Sequence, residues 1–350
     1  MRRNMVWAMV FFTVLLLSMT AAAGDFPDWI PLPGVVARGV AVDKVGNVYV
    51  SVTGGTPESV RVLKFTPDGE ELFSKNIGLG TIGGLMVDAD GDLYIAVAAG
   101  VNRGVYRMDS KGKLELLPGS NQIFFANGLA FDDVGNLYVT ESVSLVSFTS
   151  SGKPSGPGSI WRIPRGGQAE LCLRDPLLQG TGPMNQPVFY GANGIAYYHG
   201  NLYVTNTEKG TIVRIPVWPD GSVGAPELWT TLVSVPESPA AGTFPAWGDG
   251  LALDVFGNLY VVVLSQSAIV RINLSDKSQE TVAVYGVPTT SPLYAPLDVP
   301  ASIFFGTGKG ERTNIFVTNQ GIGNLFFPEL PWAGPGLVKI DAGVPGRPIH

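Results

Sequence analysis

Three polar residues stand at one offset in a repeated stretch, and their types suggest a chemistry. Asn127 opens NGLAFDDVGNLYVTES, Asn193 opens NGIAYYHGNLYVTN and Asp249 opens DGLALDVFGNLYVV. Each lies directly before a glycine. In three further copies the same offset holds Arg38, Gly83 and Ala301. Were the copies arranged around one axis, two amides and a carboxylate would converge on one point. Oxygen donors of this kind suit Ca²⁺, which completes its shell with water. Zn²⁺ or copper would want His or Cys, and the sequence holds only His199, His350 and Cys172. His199 falls in a turn and His350 is the last residue of the sequence, which argues against a Ser-His-Asp or Cys-His site. A blander reading stands beside this one. Asn before Gly at a strand start often caps a turn through its own backbone.

The elements that must position these residues are short strands. In each copy two runs of β-formers flank a tight turn, as in Leu129 to Phe131, then Asp132 to Asn136, then Leu137 to Val139. The leading glycines are Gly39, Gly84, Gly128, Gly194 and Gly250, with Ser302 at the sixth place in a copy whose turn is longer. The intervals between them are 45, 44, 66, 56 and 52 residues. A second motif follows every hairpin: small, apolar, apolar, basic, apolar. It recurs at 60–65, 104–108, 159–163, 211–215, 268–272 and 336–340. A fourth strand follows most of these, for example at 114–117 and 227–229. Repeats of this length and strand content predict an all-β, six-bladed β-propeller of four-stranded blades. The sixth blade lacks an obvious fourth strand, and 26–31 precedes the first hairpin. That N-terminal segment is expected to close the ring and remove the open edge.

Composition agrees. The 350 residues are 45% hydrophobic and 15% charged, ample for a large core, and 45 Gly with 27 Pro suit many turns. A formal net charge of −6, with no Lys/Arg cluster beyond the N-terminus, argues against a nucleic-acid partner. Arg2 and Arg3, the apolar run from Val6 to Leu17 and the small residues Ala21 to Ala23 have the form of a signal peptide. The expectation is a leader over 1–23, a single propeller domain over 24–350, and a secreted or periplasmic monomer with no membrane association after cleavage. The single Cys172 offers no internal disulfide and reads as an inert strand residue.

The ANGLAFD, ANGIAYY and GDGLALD stretches carry a resemblance. The chain resembles the senescence-marker-protein/gluconolactonase family of six-bladed propellers, whose relatives include lactonases, diisopropyl-fluorophosphatases, paraoxonases and strictosidine-synthase-like proteins. The resemblance implies a channel-mouth Ca²⁺ or other divalent ion held by Asn127, Asn193 and Asp249. It also implies Asp249 as catalytic base or nucleophile, with the ion polarising a lactone carbonyl or phosphoryl oxygen of a small-molecule substrate. One position departs. Where the family places a first-blade Glu ligand, this sequence has Arg38. Arg38 either pairs with Asp249 in place of the ion, or binds an anionic substrate, or leaves another carboxylate as fourth ligand.

Other residues are weaker candidates. Trp247 and Phe244 lie close before Asp249 and either wall a substrate pocket or pack; Tyr190 and Phe189 before Asn193 read the same way. Glu141, Asn206 and Asn319 end second strands and read as turn or rim residues. Two functions compete: a divalent-cation-dependent hydrolase opening a lactone or related ester, and a non-catalytic, NHL-like propeller recognising a small anion, sugar or peptide at the channel mouth.

Overall fold

The repeated turn forms for a local reason. Asp132 Oδ1 accepts the N–H groups of Val134 (3.1 Å) and Asn136 (2.8 Å), while its Oδ2 accepts from Asn136 Nδ2 at 2.7 Å. Gly135 takes the left-handed conformation the turn needs, with φ 89°. Asp43 and Asp254 make the same bonds in their own copies. Asp88 makes the two backbone bonds in its copy as well, so the hairpins of blades 1, 2, 3 and 5 are self-capped before any long-range packing is considered, while blade 4 turns through His199 and Gly200 and blade 6 through a longer loop.

The computed structural model of the chain describes residues 29–56, 60–78, 80–98, 100–143, 158–181, 190–286 and 294–348. The leader expected over 1–23, Phe189, and much of the inserts expected around 150, 185 and 290 lie outside the described residues. The strands form six antiparallel blades, each ordered a-b-c-d from the axis outward. Blade 1 is Val36–Val42, Val48–Thr53, Arg61–Phe65 and Glu71–Asn76. Blade 2 is Thr81–Val87, Leu93–Ala98, Gly104–Met108 and Leu114–Leu116. Blade 3 is Ala126–Phe131, Leu137–Glu141, Gly158–Ile163 and Glu170–Asp175. Blade 4 is Ala192–Tyr198, Asn201–Asn206, Thr211–Pro216 and Glu227–Thr231. Blade 5 is Gly248–Leu253, Leu259–Val263, Ala268–Ile272 and Gln279–Tyr285, with Tyr294–Ala295 added in parallel outside.

Blade 6 combines Pro300–Phe305, Asn314–Asn319 and Gly336–Asp341 with the N-terminal Trp29–Pro31 as its outer strand. The ring thus closes as the sequence led us to expect, with both ends of the chain in one blade. Helix is confined to single 3₁₀ turns among the described residues. The core lies between blades rather than inside any one of them. Ala130, Tyr138 and Ile160 of blade 3, for example, pack against Ile195, Val204 and Val213 of blade 4. Each blade buries its two faces against its neighbours, so burial depends on the complete ring.

Candidate functional site at the channel mouth

One irregularity, repeated six times, aims the site residues. In every blade the pairing of a with b slips where the leading pair of residues sits: between Ala37 and Val40, Ala126 and Leu129, Ala192 and Ile195, Gly248 and Leu251, and likewise in blades 2 and 6. A bulge re-aims a side chain and bends the strand. Here it places Arg38, Asn127, Asn193 and Asp249 on one cavity of about 230 Å³ along the propeller axis. The glycine that follows each of them is required by contact. A Cβ on Gly194 would lie 2.1 Å from the Asp249 carbonyl oxygen, and one on Gly39 would lie 2.6 Å from that of Gly83.

Hydroxyl groups on the second strands stitch neighbouring blades at this level. Ser51 Oγ donates to the Gly83 carbonyl (2.9 Å), Thr140 Oγ1 to Asn193 (2.5 Å), Thr205 Oγ1 to Asp249 (2.8 Å) and Thr318 Oγ1 to Arg38 (2.6 Å). Ala96 and Val262 occupy the equivalent places in blades 2 and 5. Three of the four bonds hold the backbone of a site residue. These hydroxyls stand at a fixed repeat offset, so the signal was present in the sequence although no chemistry pointed to it.

The side chains form a network. Asn127 Nδ2 donates to Asn193 Oδ1 at 2.5 Å and to Ser142 Oγ at 2.9 Å. Asn193 Nδ2 donates to Thr207 Oγ1 (2.9 Å), whose hydroxyl passes on to the Gly248 carbonyl at 2.8 Å. Burial pushes the Asp249 carboxyl up to about 7, while the Arg38 guanidinium draws it back down. Asp249 keeps partial contact with the channel but lies deep in protein otherwise. Tyr190 lines the same cavity; burial raises its phenol, and Arg38, Asp249 and Glu208 all act on it through space. Phe125 packs edge-on against Tyr190 at 5.8 Å and continues the wall.

Trp247 is not among the residues lining this cavity. It is buried against Phe244 at 5.7 Å, in a cluster that extends through Phe326, Phe327 and Trp332. Cys172 stays a strand residue of blade 3, its thiol pushed up to about 12 by burial. Glu141, Asn206 and Asn319 are buried loop anchors rather than rim residues. Glu141 accepts from Phe124 N–H and Trp161 Nε1–H, both at 3.0 Å. Asn206 Nδ2 donates to the carbonyls of Leu177 and Gln179, and Asn319 Nδ2 to that of Pro296. Each fastens the loop that leads into its own blade.

No protein-family model matches the chain, and no curated protein matches it by sequence. Solved structures do. A luciferin-regenerating enzyme is 15% identical with a TM-score of 0.63, over 89% of this chain and 93% of that one. A gluconolactonase from Xanthomonas campestris is 18% identical with a TM-score of 0.57, over 90% and 87%. The calcium-binding protein regucalcin from Agrobacterium tumefaciens is 16% identical with a TM-score of 0.57, over 91% and 95%. The fold is that of the gluconolactonase-like propellers. At these identities the likeness establishes architecture, and the chemistry has to be read from the residues.

Within this gluconolactonase-like ring the donor set does not fit a tightly held dication. Ca²⁺ wants several oxygens carrying net negative charge. The mouth supplies one carboxylate, Asp249, and the Asn193 oxygen already accepts the Asn127 amide, which leaves it a single lone pair. Arg38 adds a charge of the same sign as the ion to the same cavity. Among the described residues no three His, Cys, Asp or Glu side chains gather in a metal-binding arrangement.

Proposed function

We propose that the chain is a small-molecule hydrolase that opens a lactone or related ester at the channel mouth, with Asp249 as general base and Arg38 as the fixed positive charge. The observation that carries this reading is the Asp249 carboxyl. It is raised to about 7 on a cavity that also presents a guanidinium and two fixed amides. A base poised near neutrality is what proton transfer from water requires. Ionised Asp249 takes a proton from water, and the water oxygen attacks the carbonyl carbon. The Arg38 guanidinium balances charge developing on the carbonyl oxygen. The ester C–O bond then breaks, and the proton returns from Asp249 to the leaving alkoxide, giving a hydroxy acid. The similarity to a gluconolactonase structure supports the reaction class at the level of fold. Export through the 1–23 segment and a monomeric state complete the proposal. N-terminal sequencing of the mature protein and size-exclusion chromatography test them.

The deciding experiment is a pH-stat screen of lactones and simple esters, with and without EDTA. Turnover should survive the chelator and rise with pH through an inflection near 7. Asp249→Asn should lower kcat by about 10²–10⁴-fold. Loss of turnover in EDTA, restored by Ca²⁺, would transfer the positive charge's role from Arg38 to a bound ion. Saturable binding of small anions without any turnover would favour the recognition module instead.

A further inference from the structure

Beneath the polar mouth the lining of the cavity changes character. Two places past the leading position, Val40, Leu85, Leu129, Ile195, Leu251 and Ile303 back the cavity from the cores between blades, each at most 9% exposed, and one place farther on Met86, Ala130 and Ala196 line it. Farther down come Ala252, Phe131 and Phe304. Between the mouth and the turns at the far end the lining of this shaft includes no charged side chain and two hydroxyls, Ser302 and, at the offset of Phe131, Tyr197, whose own hydroxyl donates to Asp133.

The far end is closed by residues near the C-terminus. Arg347 Nη1 donates to the Tyr197 carbonyl (2.8 Å), its Nη2 meets Asp133 Oδ1 (3.3 Å), and its guanidinium lies 5.1 Å from the Tyr198 ring centroid. Its own N–H donates to the Leu253 carbonyl, and the preceding Gly346 N–H to that of Arg312. These bonds carry the tail from blade 6 across blades 5, 4 and 3. Arg347 and Pro348 form the floor of the cavity.

We propose that the shaft holds the unbranched hydrocarbon tail of an amphiphilic ligand, a straight-chain carboxylic acid or its lactone or ester, with the polar head at Arg38 and Asp249. This rests on the reading of the mouth given above and adds the substrate class to it. A polyhydroxylated sugar lactone would bring hydroxyl groups into a lining that offers few side-chain partners, whereas each methylene of an alkyl tail gains by leaving water. The cavity has room for about eight water-sized groups, so the gain should level off near eight carbons.

The test is calorimetric titration of acetate, butyrate, hexanoate, octanoate and decanoate, with gluconate as the polyhydroxylated control. Affinity should rise about fourfold per added methylene, level off near octanoate, and leave gluconate no tighter than acetate. Ala252→Phe, which narrows the shaft partway down, should end the rise at a shorter chain and leave butyrate unchanged. Should that variant not fold, Arg347→Ala serves, since opening the floor should extend the rise to decanoate. A flat series, preference for gluconate, or an unaltered chain-length profile in whichever variant folds would overturn the proposal. Binding is read without turnover, so the two readings fail separately. A rising series with no hydrolysis of any ester defeats the hydrolase alone, and hydrolysis with a flat series defeats the tail shaft alone.

Discussion

A single arginine decides how the mouth of this propeller behaves. Arg38 stands at the offset that Asn127, Asn193 and Asp249 occupy in their own blades, and it shares their cavity. Its guanidinium lowers the Asp249 carboxyl against the opposing effect of burial. Arg38→Glu reverses the local charge and adds a second carboxylate beside an amide oxygen. We expect that variant to gain Ca²⁺ affinity, seen as a rise in Tm on adding millimolar CaCl₂ that EDTA reverses. The unaltered chain should show no such shift. Stoichiometric Ca²⁺ in the unaltered protein would contradict the assignment of Arg38 as the resident cation. The residue types at this offset were legible because they fall at one repeat position. The internal bonds of the set were not, since Asn127 meets Asn193 only after a sequence separation of 66 residues is closed by the ring.

At the scale of the element, the unit is a hairpin with a bulge before its first aliphatic residue, self-capped in blades 1, 2, 3 and 5. The turn aspartate and the glycine after it were visible as a motif, and the structure supplies their reasons. Gly194→Ala forces a Cβ toward the Asp249 carbonyl at 2.1 Å, a backbone atom that cannot swing away. That variant should lose about 1–3 kcal/mol of stability by denaturant melt and should lose activity, because the displaced backbone carries Asp249. Thr205→Val keeps the shape and removes the bond to the same carbonyl. It should cost about 1 kcal/mol. Trp247 shows where reading by proximity stops. Two residues before a site residue on a strand start is still a loop position, and loop packing sends this indole toward Phe244 and away from the cavity. The Arg347 floor was illegible for a related reason. It belongs to a tail that repeats nothing, so no periodicity marks its destination.

For the molecule as a whole, closure and protonation govern stability. Deleting the chain through Pro31 removes the outer strand of blade 6 and exposes the free edge of Gly336–Asp341. We expect a lower Tm and earlier proteolysis. Two buried carboxyls set a pH dependence. Asp298 accepts the N–H groups of Gly323 (2.7 Å) and Gly334 (2.8 Å), and burial still pushes it up to about 6, as it pushes Asp249 to about 7. Both ionise in the unfolded chain near pH 4, so the unfolded state gives up its protons first. Their contribution to stability is therefore full below about pH 4 and declines as pH rises to 7. Thermal melts should show Asp249→Asn with a flatter slope over that window.

The hydroxyl stitches are missing at two junctions, after blade 2 and after blade 5, where Ala96 and Val262 stand. Those junctions lie half a turn apart. The ring is thus two arcs of three blades, one made of blades 3, 4 and 5, the other of blades 6, 1 and 2. Asn127, Asn193 and Asp249 ride on the first arc and Arg38 at the centre of the second. Base and guanidinium therefore belong to different arcs, and at the junction of blades 5 and 6 it is the C-terminal tail, bonded through Arg347 to Leu253, Tyr197 and Asp133, that spans the missing stitch.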